Sequence, residues 1–109
     1  MAVRNMQKMM KQVQKMQADM ARVQEELGNK TVEATAGGGV VRVVITGHLE
    51  IKEITIEPVA VDPDDLEMLQ DLVMAATNEA IRMAQEMSAA EMEKVAGGLN
   101  IPGLPNGLF

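Results

Sequence analysis

The sequence holds no cysteine, no tryptophan and no tyrosine, and its one phenylalanine is residue 109. Without cysteine there is no disulfide framework, no thiol nucleophile and no cysteine-based metal cluster. With no aromatic ring in the strand-like segments there is no platform there on which unpaired bases can stack, and the side chains that usually dominate core and interface area are nearly absent. No run approaches the roughly 18 apolar residues of a membrane span. The opening residues carry evenly spaced charge rather than an apolar stretch. They do not read as a signal peptide, and a cytoplasmic location is the expectation. Histidine and serine occur once each, at His48 and Ser88. Ser88 falls inside a helical pattern and His48 follows a turn glycine, so neither belongs to a nucleophile–base set, and no enzyme is expected.

What is present is methionine, 11 of them, with Val, Ile, Leu and Ala. A chain of about 100 residues buries only some two-thirds of its unfolded surface. A core built without aromatics at this length calls for completion by a second subunit. The net charge of −6 is unevenly spread: +3 over residues 1–30, −1 over 31–56 and −8 over 57–96. The average suggests a partner other than nucleic acid, whereas the amino-terminal block alone does not.

Residues 5–27 read as a helix. Met6, Met9, Val13, Met16, Met20, Val23 and Leu27 alternate gaps of three and four, the seam of a coiled coil or long hairpin partner. The plain reading of this seam is core packing, with Gly28-Asn29 ending the helix in a left-handed turn. Residues 31–57 read as three strands in an antiparallel meander, broken by Gly37-Gly38-Gly39 and by Gly47-His48. The middle strand is apolar on both sides, so both sheet faces are expected to be at least partly covered. Residues 63–96 read as a second helix, with Asp62 as N-cap and Pro63 in its first position. Its seam is Leu66, Leu69, Val73, Ala76, Ala80, Met83, Met87 and Ala90, widened by Leu72 and Ile81. At about 1.5 Å per residue this helix approaches 50 Å, so it either projects beyond the sheet or breaks. Residues 97–109 read as a flexible Gly/Pro-rich tail. The single domain therefore spans 1–96.

One helix face carries chemistry. Arg4, Lys8, Lys11, Lys15 and Arg22 fall within an arc of about 60°, roughly 140° from the centre of the Met/Val seam. A cationic ridge of this kind complements backbone phosphates, and its plainer reading is a solvated helix face. Arg82 and Lys94, on the acidic second helix, have Glu79, Glu86 and Glu91 at helical spacing, with phosphate contact as the alternative for Arg82. Arg42 and Lys52 read as solvated strand residues. The acidic run Asp62, Asp64, Asp65, Glu67 lacks the ligand ladder and central glycine of a calcium loop and reads as helix capping. No cofactor and no metal is expected. Gly37-Gly38-Gly39 precedes a strand rather than a helix and so does not cradle phosphate.

The order of these features resembles the YbaB/EbfC family of bacterial nucleoid-associated proteins. The resemblance rests on Met6-Gln7-Lys8-Met9-Met10-Lys11-Gln12-Val13-Gln14-Lys15-Met16-Gln17, on Gly37-Gly38-Gly39-Val40-Val41-Arg42-Val43, and on Gly47. It continues through Ile54-Thr55-Ile56-Glu57-Pro58, the helix opening Asp65 to Val73, Ala75-Ala76-Thr77-Asn78-Glu79-Ala80, and the Gly/Pro/Leu tail. It implies an α+β fold in the order αβββα: a three-stranded antiparallel sheet with long projecting amino- and carboxy-terminal helices, in a tweezer-like homodimer. It further implies double-stranded DNA as partner, nucleoid association, a role in organising the bacterial chromosome with effects on gene expression, and neither catalysis nor a cofactor. The projecting helices would carry the DNA contacts, through Arg4, Lys8, Lys11, Lys15 and Arg22, with Arg82 beside them. The expected dimer interface is Val41, Val43, Ile45, Ile54 and Ile56, with Leu69 and Val73. The rival reading is a coiled-coil-type protein-interaction adaptor that does not touch DNA.

Overall fold

The computed structural model describes residues 2–97. Helix α1 runs from Ala2 to Leu27, strands β1 (Thr31–Ala36), β2 (Val41–Thr46) and β3 (Ile51–Ile56) follow, and helix α2 runs unbroken from Leu66 to Gly97. A short 3-10 turn, Pro58–Ala60, links β3 to α2. The strands form one antiparallel sheet in the order β1-β2-β3, which is the expected αβββα meander. The β1–β2 turn requires glycine, since Gly37, Gly38 and Gly39 take φ of 64°, 75° and 96°, where a Cβ is disfavoured. The described tail residue, Gly97, closes α2; the tail expected from residue 98 onward lies outside the described residues.

The core sits between α2 and one face of β1 and β2. Ala76, Ala80 and Ala84, spaced four apart, lie against Ala34, Val41, Val43 and Ile45, all buried. Side chains this small let the helix axis approach the sheet closely, which is how a core forms here without aromatic bulk. Each buried Val or Ile contributes about 1.5–3 kcal/mol by leaving water. Ala84 is not in the heptad seam read from the sequence. The contact follows the alanine ladder at gaps of four, because a helix on a sheet needs a broad stripe rather than a coiled-coil seam.

Of the residues expected at a dimer interface, Val41, Val43 and Ile45 have no exposed surface, because α2 of the same chain covers them. Their cross-strand partners Ile54 and Ile56 share that face but stay exposed, since α2 does not reach over β3. The opposite sheet face is partly covered: Val44 is half-buried and Thr46 buried, while Glu33, Glu53 and Thr55 are exposed. There Arg42 bridges Glu33 at 2.9 Å and Glu53 at 3.3 Å across all three strands.

The start of α2 also differs. Asp62 does not cap the helix: its carboxylate accepts from the Asp64 N–H at 2.9 Å and its carbonyl from the Asp65 N–H at 2.9 Å, making a turn around Pro63. Asp65 is the N-cap, accepting from the Met68 N–H at 3.2 Å. Pro63 supplies the fixed φ of the turn rather than of the first helical turn.

Candidate nucleic-acid interface

The base of α1 is clamped. Leu27 and Val23 are buried, and the Gly47 N–H donates to the carbonyls of Leu27, at 2.9 Å, and Lys30, at 3.0 Å. His48 Nε2 lies 2.5 Å from the carbonyl of Gln24. The β2–β3 turn thus grips the last turns of α1. That turn is itself ordered by Thr46, whose buried hydroxyl accepts from the N–H groups of His48 and Glu50, each at 3.2 Å. Gly28 does not adopt the left-handed conformation read from the sequence, since among the glycines only 37, 38 and 39 have positive φ. Glycine is required at 28 because the imidazole of His48 occupies the space of a side chain there.

Further along, α1 lies beside the end of α2. Lys30 Nζ is 3.2 Å from Glu91, and the Gln24 side-chain amide donates to Met92 Sδ at 3.6 Å. Met16 and Met20 border a cleft with Val95 and Ala96. The two helices therefore run antiparallel, and α2 stops near the level of Met16. The first half of α1 extends past it as an arm, which accounts for a longest dimension of 77 Å against 25 and 16 Å. This overturns the core reading for half of the Met/Val seam. Met6, Met9 and Met10 are 62%, 64% and 60% exposed, and Val13 and Met20 are also exposed. Nothing among the described residues reaches the first of them.

The cations divide sharply. Of the ten Lys and Arg, six face carboxylates. Arg22 pairs with Glu26 at 3.3 Å and Asp19 at 3.8 Å. Lys30 and Lys94 share Glu91, Arg42 is held as described, and Lys52 is 3.6 Å from Glu50. Arg82 is gripped by Glu79 and Glu86. The other four, Arg4, Lys8, Lys11 and Lys15, form no ion pair among the described residues, and all four are exposed on the arm. The reason is local: no acidic residue precedes Asp19. Of the six expected DNA contacts, then, four stand together as unpaired charge. Arg22 and Arg82 are largely neutralised where they stand.

Titration follows the same partition. Hydrogen bonding to Glu79, reinforced by the charges of Glu79 and Glu86, pushes Arg82 further above its already high range. In return, the hydrogen bond from Arg82 lowers Glu79. Glu91 is lowered by its hydrogen bonds from Lys30 and then Lys94. On the outward face of α2, within about 40° of directly opposite the alanine stripe at 100° per residue, Glu67, Asp71 and Glu93 are exposed carboxylates. The molecule thus presents positive charge at its tip and negative charge along its body.

The profile of the YbaB/EbfC DNA-binding family matches residues 1–99. The chain belongs to that family. A nucleoid-associated protein of Desulforamulus reducens is 71% identical over 100 residues, covering 92% of this chain and 95% of the relative. One from Pelotomaculum thermopropionicum is 63% identical with the same coverage. The crystal structure of an uncharacterized Helicobacter pylori protein, HP0035, superposes with a TM-score of 0.68 at 21% identity. It covers 78% of this chain and 89% of that one, and so has the same fold. The family is described as DNA-binding. No helix among the described residues is long and apolar enough to cross a membrane.

The residues that sequence reasoning missed are Gln24, His48 and Thr46, which aim the arm. His48 read as a turn residue, which it is. Its second role depends on the fold bringing residues 24 and 48 together, and no local pattern signals that.

Proposed function

We propose that this protein is a nucleoid-associated protein that binds double-stranded DNA through backbone phosphates, using Arg4, Lys8, Lys11 and Lys15. The observation that carries this reading is that the four cations without a carboxylate partner share one face of the projecting arm. A bound phosphate there displaces only solvent and counterions, whereas at Arg22 or Arg82 it must compete with two carboxylates. Counterion release favours the contact and makes it salt-dependent. The absence of aromatic rings among the described residues, and the phosphate-type charge of the arm, support weak sequence dependence. The acidic body repels the duplex and so favours approach by the arm. Chromosome organisation in the nucleoid, with effects on gene expression, follows from binding of this kind.

A homodimer completes the reading. Ile54 and Ile56 on the outer strand, with Leu69 and Val73 of α2, border an open apolar groove of about 440 Å³ that also includes Met74. Pairing there would cover the free edge of β3 and set two arms on one particle. Val41, Val43 and Ile45 stay within each subunit's own core.

The test is duplex affinity against salt concentration for the parent and for Lys8→Glu/Lys11→Glu/Lys15→Glu. Four phosphate contacts contribute a slope of about −3.6 per arm in log affinity against log salt. The triple variant is expected to bind far more weakly and with a shallower slope. Unchanged affinity and slope would overturn the assignment of this ridge.

A further inference from the structure

Half of the seam of α1 has a partner helix and half has none. From Met16 to Leu27 it lies beside α2, with Val23 and Leu27 buried. Beyond Met16 the same seam runs on through Val13, Met9 and Met6, all exposed, around an apolar hollow of about 360 Å³ that Met10 also lines. The residues beside this stripe decide what fits it. With Met6 and Val13 at a and Met9 at d of a heptad, the flanking e and g positions of the arm are Val3, Asn5, Met10, Gln12 and Gln17, none of them charged. All four arm cations take outer positions, Lys8 and Lys15 at c, Arg4 and Lys11 at f. At 100° per residue their centre lies about 180° from that of Met6, Met9, Met10 and Val13.

We propose that this stripe pairs with the same stripe of a second copy, the two arms antiparallel, with Met6 of one copy against Met9 of the other.

The orientation follows from α2, which already occupies the seam from Leu27 to Met16. A parallel second arm, followed along that line, runs into α2. An antiparallel one begins where α2 stops and leaves beyond the tip, so each copy offers the other the same surface. In this register residue 3 of the second arm comes level with Gln12, short of the end of α2. Charge permits the contact. Helix axes pack about 8–10 Å apart and each helix is about 10–12 Å across, which sets the two ridges about 20 Å apart. That is well beyond the ~8 Å Debye length at physiological salt. The rest of each chain, with six cations against 16 carboxylates, stays at the opposite end from its counterpart. A lipid surface fits less well, since a stripe sunk in a bilayer would turn the cations away from the headgroups. About ten overlapping residues bury less than the roughly 1,000 Å² of a stable interface, so the contact is weak and depends on concentration. It does not depend on how the ridge is used or on pairing at β3.

The chain has no native cysteine, so each introduced thiol reports alone. Full-length Met6→Cys and Met9→Cys, mixed without DNA and oxidised, are expected to give several-fold more disulfide-linked dimer than either variant alone. Lys11→Cys, on the outer side, should give little. Far-UV circular dichroism should show the helices intact, since all three positions are exposed. A second measurement leaves the seam untouched. Nitroxides at Gln7→Cys should lie nearly level across the pair, whereas those at Gln14→Cys should be offset by about 20 Å along it, which pulsed electron paramagnetic resonance reads as a longer distance. Equal distances at the two labels, a predominance of disulfides within each single variant, or equal yields from all three thiols would overturn the proposal. So would no disulfide at all, and binding of the parent to phosphatidylglycerol vesicles would then assign the stripe to a lipid surface.

Discussion

A side chain at position 28 would stand where the imidazole of His48 lies: a Cβ on Gly28 falls 2.9 Å from both Cε1 and Nδ1 of that ring. The ring is held there by its contact with the carbonyl of Gln24. The absence of a side chain at one position and the orientation of an imidazole twenty residues later are thus one feature, and it sets the base of the arm.

Gly28→Ala is expected to push the ring away and break the His48–Gln24 hydrogen bond, at a cost of about 1 kcal/mol. His48→Ala should cost a similar amount through the same bond. The double variant should cost little more than either alone, because the clash and the bond are removed together. Chemical denaturation of all four proteins measures this. Full additivity of the two single effects would contradict the shared cause.

Ala80→Leu should be strongly destabilising, by about 1–3 kcal/mol or more, since Ala80 has no exposed surface and faces the sheet. Ala75→Leu, on an exposed turn of the same helix, should change stability little. Urea midpoints of the two variants give the comparison. Equal midpoints would mean that close approach of α2 to the sheet is not what the alanine stripe provides.

Removing single charges should separate the two classes of cation. Lys11→Ala is expected to reduce the magnitude of the salt slope of duplex binding by about 0.9. Arg82→Ala should leave the slope nearly unchanged, because Glu79 and Glu86 already occupy its guanidinium. A larger loss from Arg82 than from Lys11 would reassign the interface to α2.

Acid should loosen the contact between the helices. Lys30 and Lys94 hold the Glu91 carboxylate below its usual range. A carboxyl with a lower value in the folded chain binds protons more readily when unfolded. Its contribution is therefore present above the unfolded value of about 4.3 and is lost as pH falls through the folded one. The thermal midpoint of the parent should drop more steeply than that of Glu91→Gln over that acid range. Parallel profiles would assign the acid response to other groups.

Much of this molecule was legible as local pattern. The three strands follow from β-branched runs between glycine turns, and the two helices from their apolar periodicity. The cationic ridge follows from the run Arg4 to Lys15, which holds no acidic residue. Pairing of Arg82 with Glu79 and Glu86 follows from helical spacing alone. These features depend on neighbours within a few residues, where sequence distance and spatial distance agree.

What only the tertiary structure decided depends on residues far apart in the chain. Periodicity marked Met6, Met9 and Val13 as one seam with Val23 and Leu27. Their burial, however, depends on how far α2 reaches beside α1, and it stops short of them. Alternation placed Val43 and Ile54 on one sheet face, but the lateral position of α2 buries the first and leaves the second open. A sequence determines which faces are apolar or charged through its local period. Which of those faces are already covered is set by the length and placement of the elements packed against them.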